Sequence, residues 1–114
     1  MIADDEALLR EGLAAAVQSL AERAPVRIVA LPTRRLGPAV ETAAYFVIAR
    51  AVPESGELTV AAAVRDGRLE ITLEGAADLG GGGDLSGARD RVEAQDGDLA
   101  ADGNGLIRVS LPCG

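Results

Sequence analysis

Residues 58–74 read LTVAAAVRDGRLEITLE, two alternating runs joined by Asp66-Gly67. Asp-Gly supplies the two positive-φ positions of a type I′ turn, whose twist matches that of the flanking strands. This segment is therefore an antiparallel hairpin, and the rest of the chain has to be assembled around it. A second hairpin follows the same logic, with GDLAAD and LIRVSLP flanking the turn GNG, where Asn104 serves the turn.

The remaining segments have helical or strand periodicity. DDEALLREGLAAAVQSLAERAP predicts a helix from about Asp5 to Arg23, with Leu9, Leu13, Ala16, Val17 and Leu20 on one face. Acids at its start suit the positive helix end, and Pro25 closes it. VRIVAL, Val26 to Leu31, is a strand, and PTRRLG is a loop whose Arg34 and Arg35 form a short solvent-exposed basic spot. Pro38 is placed for the first turn of a helix from about Gly37 to Ala51. Its buried stripe is Leu36, Val40, Ala43, Ala44, Val47, Ile48 and Ala51. A glycine-dense loop, GAADLGGGGDLSG, leads into a short helix from about Ser86 to Gln95. The order α-β-α-β-β-α-β-β predicts a two-layer α/β sandwich: a mixed, mostly antiparallel sheet with helices on one face. Residues 1–114 are expected to form one domain, with 1–11 as the start of the first helix.

The core of such a sandwich has to be built almost without aromatic bulk. Tyr45 and Phe46 are the aromatic residues, and both are expected to pack at the core or its boundary. Net charge is −7, all eleven cations are arginines, and there is no histidine. That balance provides no general surface for nucleic acid or anionic lipid. Without histidine or lysine, Ser-His-Asp and Cys-His arrangements, a Schiff base and a phosphate-loop lysine are excluded. A single cysteine, Cys113, cannot form an internal disulfide. No apolar run reaches the ~18 residues of a membrane span, and the acidic start MIADDEALLR is no signal peptide. A cytoplasmic location is expected.

LGGGGDLSG opens a helix, a place where free N–H groups and the helix dipole favour a phosphate. Glycine there also permits close backbone approach. Four consecutive glycines are equally a flexible loop with no ligand.

The succession GLAAAVQSLAERAPVRIV, LGPAVETAAYFVIARA, LTVAAAVRDGRLEITLE and DLSGARDRVEAQDGDLAADGNGLIRVSLP spans Gly12 to Pro112. It resembles the C-terminal ATP-binding domain of bacterial two-component sensor histidine kinases, nitrate-sensor-like subclass, in the GHKL (Bergerat-fold) ATPase superfamily. AAYFVIA and SGARDRVEA are the most specific parts of the likeness. The resemblance implies ATP and Mg²⁺ as cofactors. It implies nucleotide-binding positions at Asp78, Gly80, Gly81, Gly82, Gly83, Leu85, Ser86 and Gly87.

The chain also departs from that pattern. The family helix continues A-E-A-x-x-N, its glutamate polarising the water or the transferred phosphoryl and its asparagine holding Mg²⁺. Without a gap, Arg50 stands at the glutamate position and Glu54 at the asparagine position, vestigial sites with Pro53 between them to end the helix. The stretch that follows is shorter than the family's by roughly half a dozen residues. The aspartate that the family uses for adenine is matched by Gly75 or Ala76, and Asp78 substitutes only with a shift of loop register. Asp84 stands where a phosphate-facing glycine belongs, and a carboxylate repels a triphosphate unless a cation lies between them.

These departures predict a degenerate histidine-kinase-like ATPase domain with weak or no ATP binding, no catalytic residues and a regulatory or interaction role. Its partner would be a signalling protein, a kinase or response regulator, or a second copy of itself. One alternative is an ATP-binding catalytic domain in which the glycine loop, Asp78 and Glu54 form a rearranged site. The other is a ligand-free interaction module, marked by an exposed apolar patch of roughly a few hundred Å². The start IADDEALLREGL also resembles the opening of a response-regulator receiver domain, with Asp4 and Asp5 as its acidic pair. The chain has no lysine for such a domain, and the acids suit a helix start.

Overall fold

The computed structural model describes residues 8, 10–53, 56–76, 83–102 and 105–113, with residues 83–86 described by their backbone alone. In chain order the elements are α1 (Leu13–Ala21), β1 (Val26–Ala30), α2 (Pro38–Ala51), β2 (Leu58–Arg65), β3 (Arg68–Glu74), α3 (Gly83–Glu93), β4 (Asp98–Ala101) and β5 (Ile107–Pro112). The five strands form one sheet in the order β1-β2-β3-β5-β4. β1 and β2 are parallel and the other neighbours antiparallel, so the chain must cross over between β1 and β2. Helix α2 is that crossover. The predicted sandwich is the observed architecture.

The first hairpin is built as its sequence requires. β2 and β3 pair from Thr59↔Glu74 to Arg65↔Arg68, and Asp66 and Gly67 close them at φ 52° and 75°. Register then fixes which face is dry. Ala62, Ile71, Val109 and Leu99 lie side by side across four strands, and all four are buried. The other face carries Ala63, Glu70 and Arg108 exposed, with Thr59, Ala61, Thr72 and Ser110 half-buried. The helices cover the dry face.

All seven stripe residues of the second predicted helix are buried in α2 and its lead-in. Gly37 precedes its first turn in extended conformation, and Pro38 opens it. Burying a side chain such as Ile48 or Val47 completely contributes about 1.5–3 kcal/mol. Ala44 and Ala51, fully buried, let the helix lie close to the sheet.

One expectation fails at the N-terminal end. The predicted helix from Asp5 is interrupted at Gly12, whose φ of 99° breaks it before Leu13. Leu8, Arg10 and Glu11 are helical on the far side of the break. Arg34 and Arg35 are exposed, as expected, but Arg35 is also held in place. It bridges to Glu41, a carboxylate only 2% exposed, with Nε 3.3 Å from Oε2 and Nη2 3.3 Å from Oε1. Its Nη1 donates to the Arg10 carbonyl at 3.0 Å, and the Leu36 amide donates to Glu41 Oε2 at 3.0 Å. A Cβ placed at Gly12 would lie 2.7 Å from Arg35 Cδ and Nε. The glycine thus gives the arginine room to reach the carbonyl beside the bend.

Glu41→Ala is expected to cost about 2 kcal/mol, because the Leu36 amide loses its acceptor in a buried setting. Gly12→Ala is expected to cost about 1–3 kcal/mol from strained backbone and the crowded arginine. Urea unfolding followed by circular dichroism measures both, and unchanged midpoints would show that the bend is not held by this clamp.

Candidate functional site

The C-terminal end of α2, the N-terminal end of β2, the end of β3 and the start of β5 come together at one end of the sandwich. The pairing of β2, β3 and β5 dictates this. The motifs singled out in the sequence fall largely on this end, because each lies at one of these junctions.

Arg50 occupies the last turn of α2. Its guanidinium carbon lies 4.9 Å from the centroid of the Phe46 ring, one turn back on the same helix. Arg91 of α3 lies over the same ring at 4.1 Å. It is exposed, but its contact is with the aromatic ring. Phe46 is half-buried and Tyr45 likewise, as boundary packing requires. Such cation–π contacts contribute about 0.5–1 kcal/mol each at exposed sites.

Helix α2 ends as Pro53 demands. Val52 leaves the helix at φ −61°, ψ 123°, and Pro53 itself is buried. Glu54 lies outside the described residues, as do Asp78, Gly80, Gly81 and Gly82. Gly83 opens α3, three residues earlier than the predicted start at Ser86, and Leu85, Ser86 and Gly87 lie within the helix. A Cβ at Gly87 would meet nothing within 4 Å, so packing does not require glycine there.

Of the two positions matched to the adenine aspartate, Gly75 and Ala76, the first is closed by backbone. Gly75 has φ 81°, and a Cβ on it would lie 2.4 Å from the Glu57 carbonyl oxygen. The Ala76 amide donates to the Gly105 carbonyl at 2.9 Å. The short α2–β2 connection and the last hairpin therefore press on the end of β3, and Gly75 has no room for a carboxylate.

Mg²⁺ needs several hard oxygen ligands in near-octahedral array. Among the described residues no group of three or more Asp, Glu, His or Cys could hold a metal ion. The described side chain at the expected catalytic position is a guanidinium, which repels a divalent cation. The residues described do not fit the metal.

No protein-family model matches the sequence, and no curated protein matches it. Solved structures do resemble it. The histidine kinase domain of a blue-light-activated histidine kinase from Erythrobacter litoralis aligns with a TM-score of 0.58 at 15% identity, over 87% of this chain and 57% of that one. The histidine kinase AdeS of Acinetobacter baumannii aligns with a TM-score of 0.57 at 16% identity, over 96% of this chain and 63% of that one. The chain thus spans less than two thirds of the length of either structure.

Phe46→Leu is expected to cost about 1–2 kcal/mol, since it keeps most of the apolar volume and loses both guanidinium contacts. Thermal denaturation gives the cost, and loss of ring-current shifts at the Arg50 and Arg91 Nε–H resonances identifies its source. Unshifted resonances would mean that the ring does not hold the arginines. By its strand order, helix placement and likeness to these structures, the chain shares the α/β-sandwich fold of these histidine kinase structures.

Proposed function

We propose that this chain is a histidine-kinase-like ATPase domain of two-component signalling, of the nitrate-sensor-like subclass, that binds Mg-ATP weakly or not at all. Its role is regulatory, through contact with a kinase, a response regulator or a second copy. Arg50 carries the reading: a cation stacked on Phe46 stands where phosphoryl transfer asks for a carboxylate. Phosphoryl transfer rests on positioning and charge neutralisation by metal ions, and a guanidinium cannot take the place of the base. Two further features support it, the helix end at Val52-Pro53 and the backbone contact that fills the space beside Gly75.

The apolar patch expected of a ligand-free module has no counterpart among the described residues. Val29, 62% exposed, is the large apolar side chain they leave in solvent. A partner contact made through the described surface is therefore polar or charged in the main. No helix among the described residues is long and apolar enough to cross a membrane.

Calorimetric titration of Mg-ATP and Mg-ADP, with thermal shift as a second readout, tests the reading. The expected result is neither heat nor stabilisation at millimolar nucleotide. Binding in the micromolar range, about −8 kcal/mol, would favour the rearranged catalytic site instead. Glu54→Ala is expected to leave stability within about 0.5 kcal/mol of the parent and the nucleotide response unchanged. A large loss of nucleotide affinity in that variant would assign Glu54 to a working site.

A further inference from the structure

Between the N-terminal end of α2 and the C-terminal end of α3 lies a groove of about 460 Å³. Ala39, Thr42 and Ala43 line it from α2, and Arg91, Ala94 and Gln95 from α3 and the turn after it. We propose that this groove binds a small molecule bearing a phosphate or carboxylate on a compact apolar body.

Size and chemistry agree. Ligand pockets run from roughly 300 to 1,000 Å³, mostly apolar, with a few convergent polar groups. Here the alanines supply the apolar floor, while Thr42 and Gln95 supply neutral donors and acceptors. Arg91 is the charged residue of the lining. Its guanidinium is laid over Phe46 at 4.1 Å, which fixes its plane before any ligand arrives. Stacking uses the face of a guanidinium and leaves its N–H edge for bidentate recognition of an oxyanion. A prepositioned arginine loses less side-chain freedom on binding than a mobile one.

The surrounding charges do not cancel this. Glu41, in the first turn of α2, is turned inward and paired with Arg35. Asp90 and Glu93 neighbour Arg91 in sequence, at offsets that put them on other faces of α3. The chain as a whole carries −7, so it has no general attraction for anions. An anion held here is selected by the groove itself. The groove begins at the last turn of α3, about 12 Å from the helix start at 1.5 Å per residue. Its occupancy does not depend on whether nucleotide binds at the glycine loop.

The test is a titration of the 15N-labelled chain with phenyl phosphate, benzoate and phenol, read by amide chemical shifts. Phenyl phosphate or benzoate is expected to move the Thr42, Ala43, Ala94 and Gln95 resonances saturably, with a Kd of ~1 mM. Phenol should not move them. The stronger of the two anions identifies the ligand class as phosphate or carboxylate. Arg91→Ala is expected to weaken binding at least ~10-fold while the fold persists, with a melting temperature lowered by no more than loss of the Phe46 contact explains, and Arg91→Lys to recover part of the binding. The proposal is overturned if neither anion shifts these residues. It is equally overturned if Arg91→Ala binds as the parent does, or if the shifts centre on Gly83 to Gly87.

Discussion

A core with almost no aromatic bulk must be closed by bringing helices near to the sheet, and α2 meets that demand. Its buried face mixes Val40, Val47 and Ile48 with Ala43, Ala44 and Ala51. The alanines allow close approach, while the branched side chains fill the space between the rows of the sheet. As the crossover, α2 also connects the parallel strands β1 and β2. Helices α1 and α3 both pack against it. An error in the seating of α2 would reach every layer of the molecule.

The same helix governs the end where a nucleotide site is expected. Because α2 stops at Val52 and Pro53 is buried, the chain turns into β2 over a short path. That path brings the Glu57 carbonyl against Gly75, and Gly105 closes on Ala76 from the other side. Substitution of single residues does not capture this difference. The space for an adenine-binding carboxylate at Gly75 is taken by main chain.

The hairpins and α2 were legible in the sequence because their signals are local: Asp-Gly between alternating runs, and seven apolar positions at helical spacing. The long helix from Asp5 was misread because its apolar face continues in phase through Gly12. A glycine inside a helical pattern is a weak break signal, and only the packing of Arg35 made it a bend. Glu41 was missed because an acid in a first turn ordinarily answers the helix dipole from the surface. Its spacing of three and seven residues from Ala44 and Ile48 was the available sign, since those positions share a face. The candidate site was legible as a pattern of substitutions, but not as geometry. No sequence rule places two arginines from different helices on one ring, or a groove between those two helices.

The bend at Gly12 has a mechanical consequence. A continuous helix transmits twist and push along its axis with little loss, whereas this one is divided. The turn bearing Leu8 and Arg10 is joined to the body by buried Leu8 and through Arg35, which also bridges to Glu41 in α2. Torque applied to that turn therefore reaches the central helix sideways, through an ionic joint whose arginine is 47% exposed. Such a joint softens as ionic strength rises, while the packing beneath it does not. Salt therefore loosens the ionic joint, while Leu8, buried in the core, keeps the leading turn anchored.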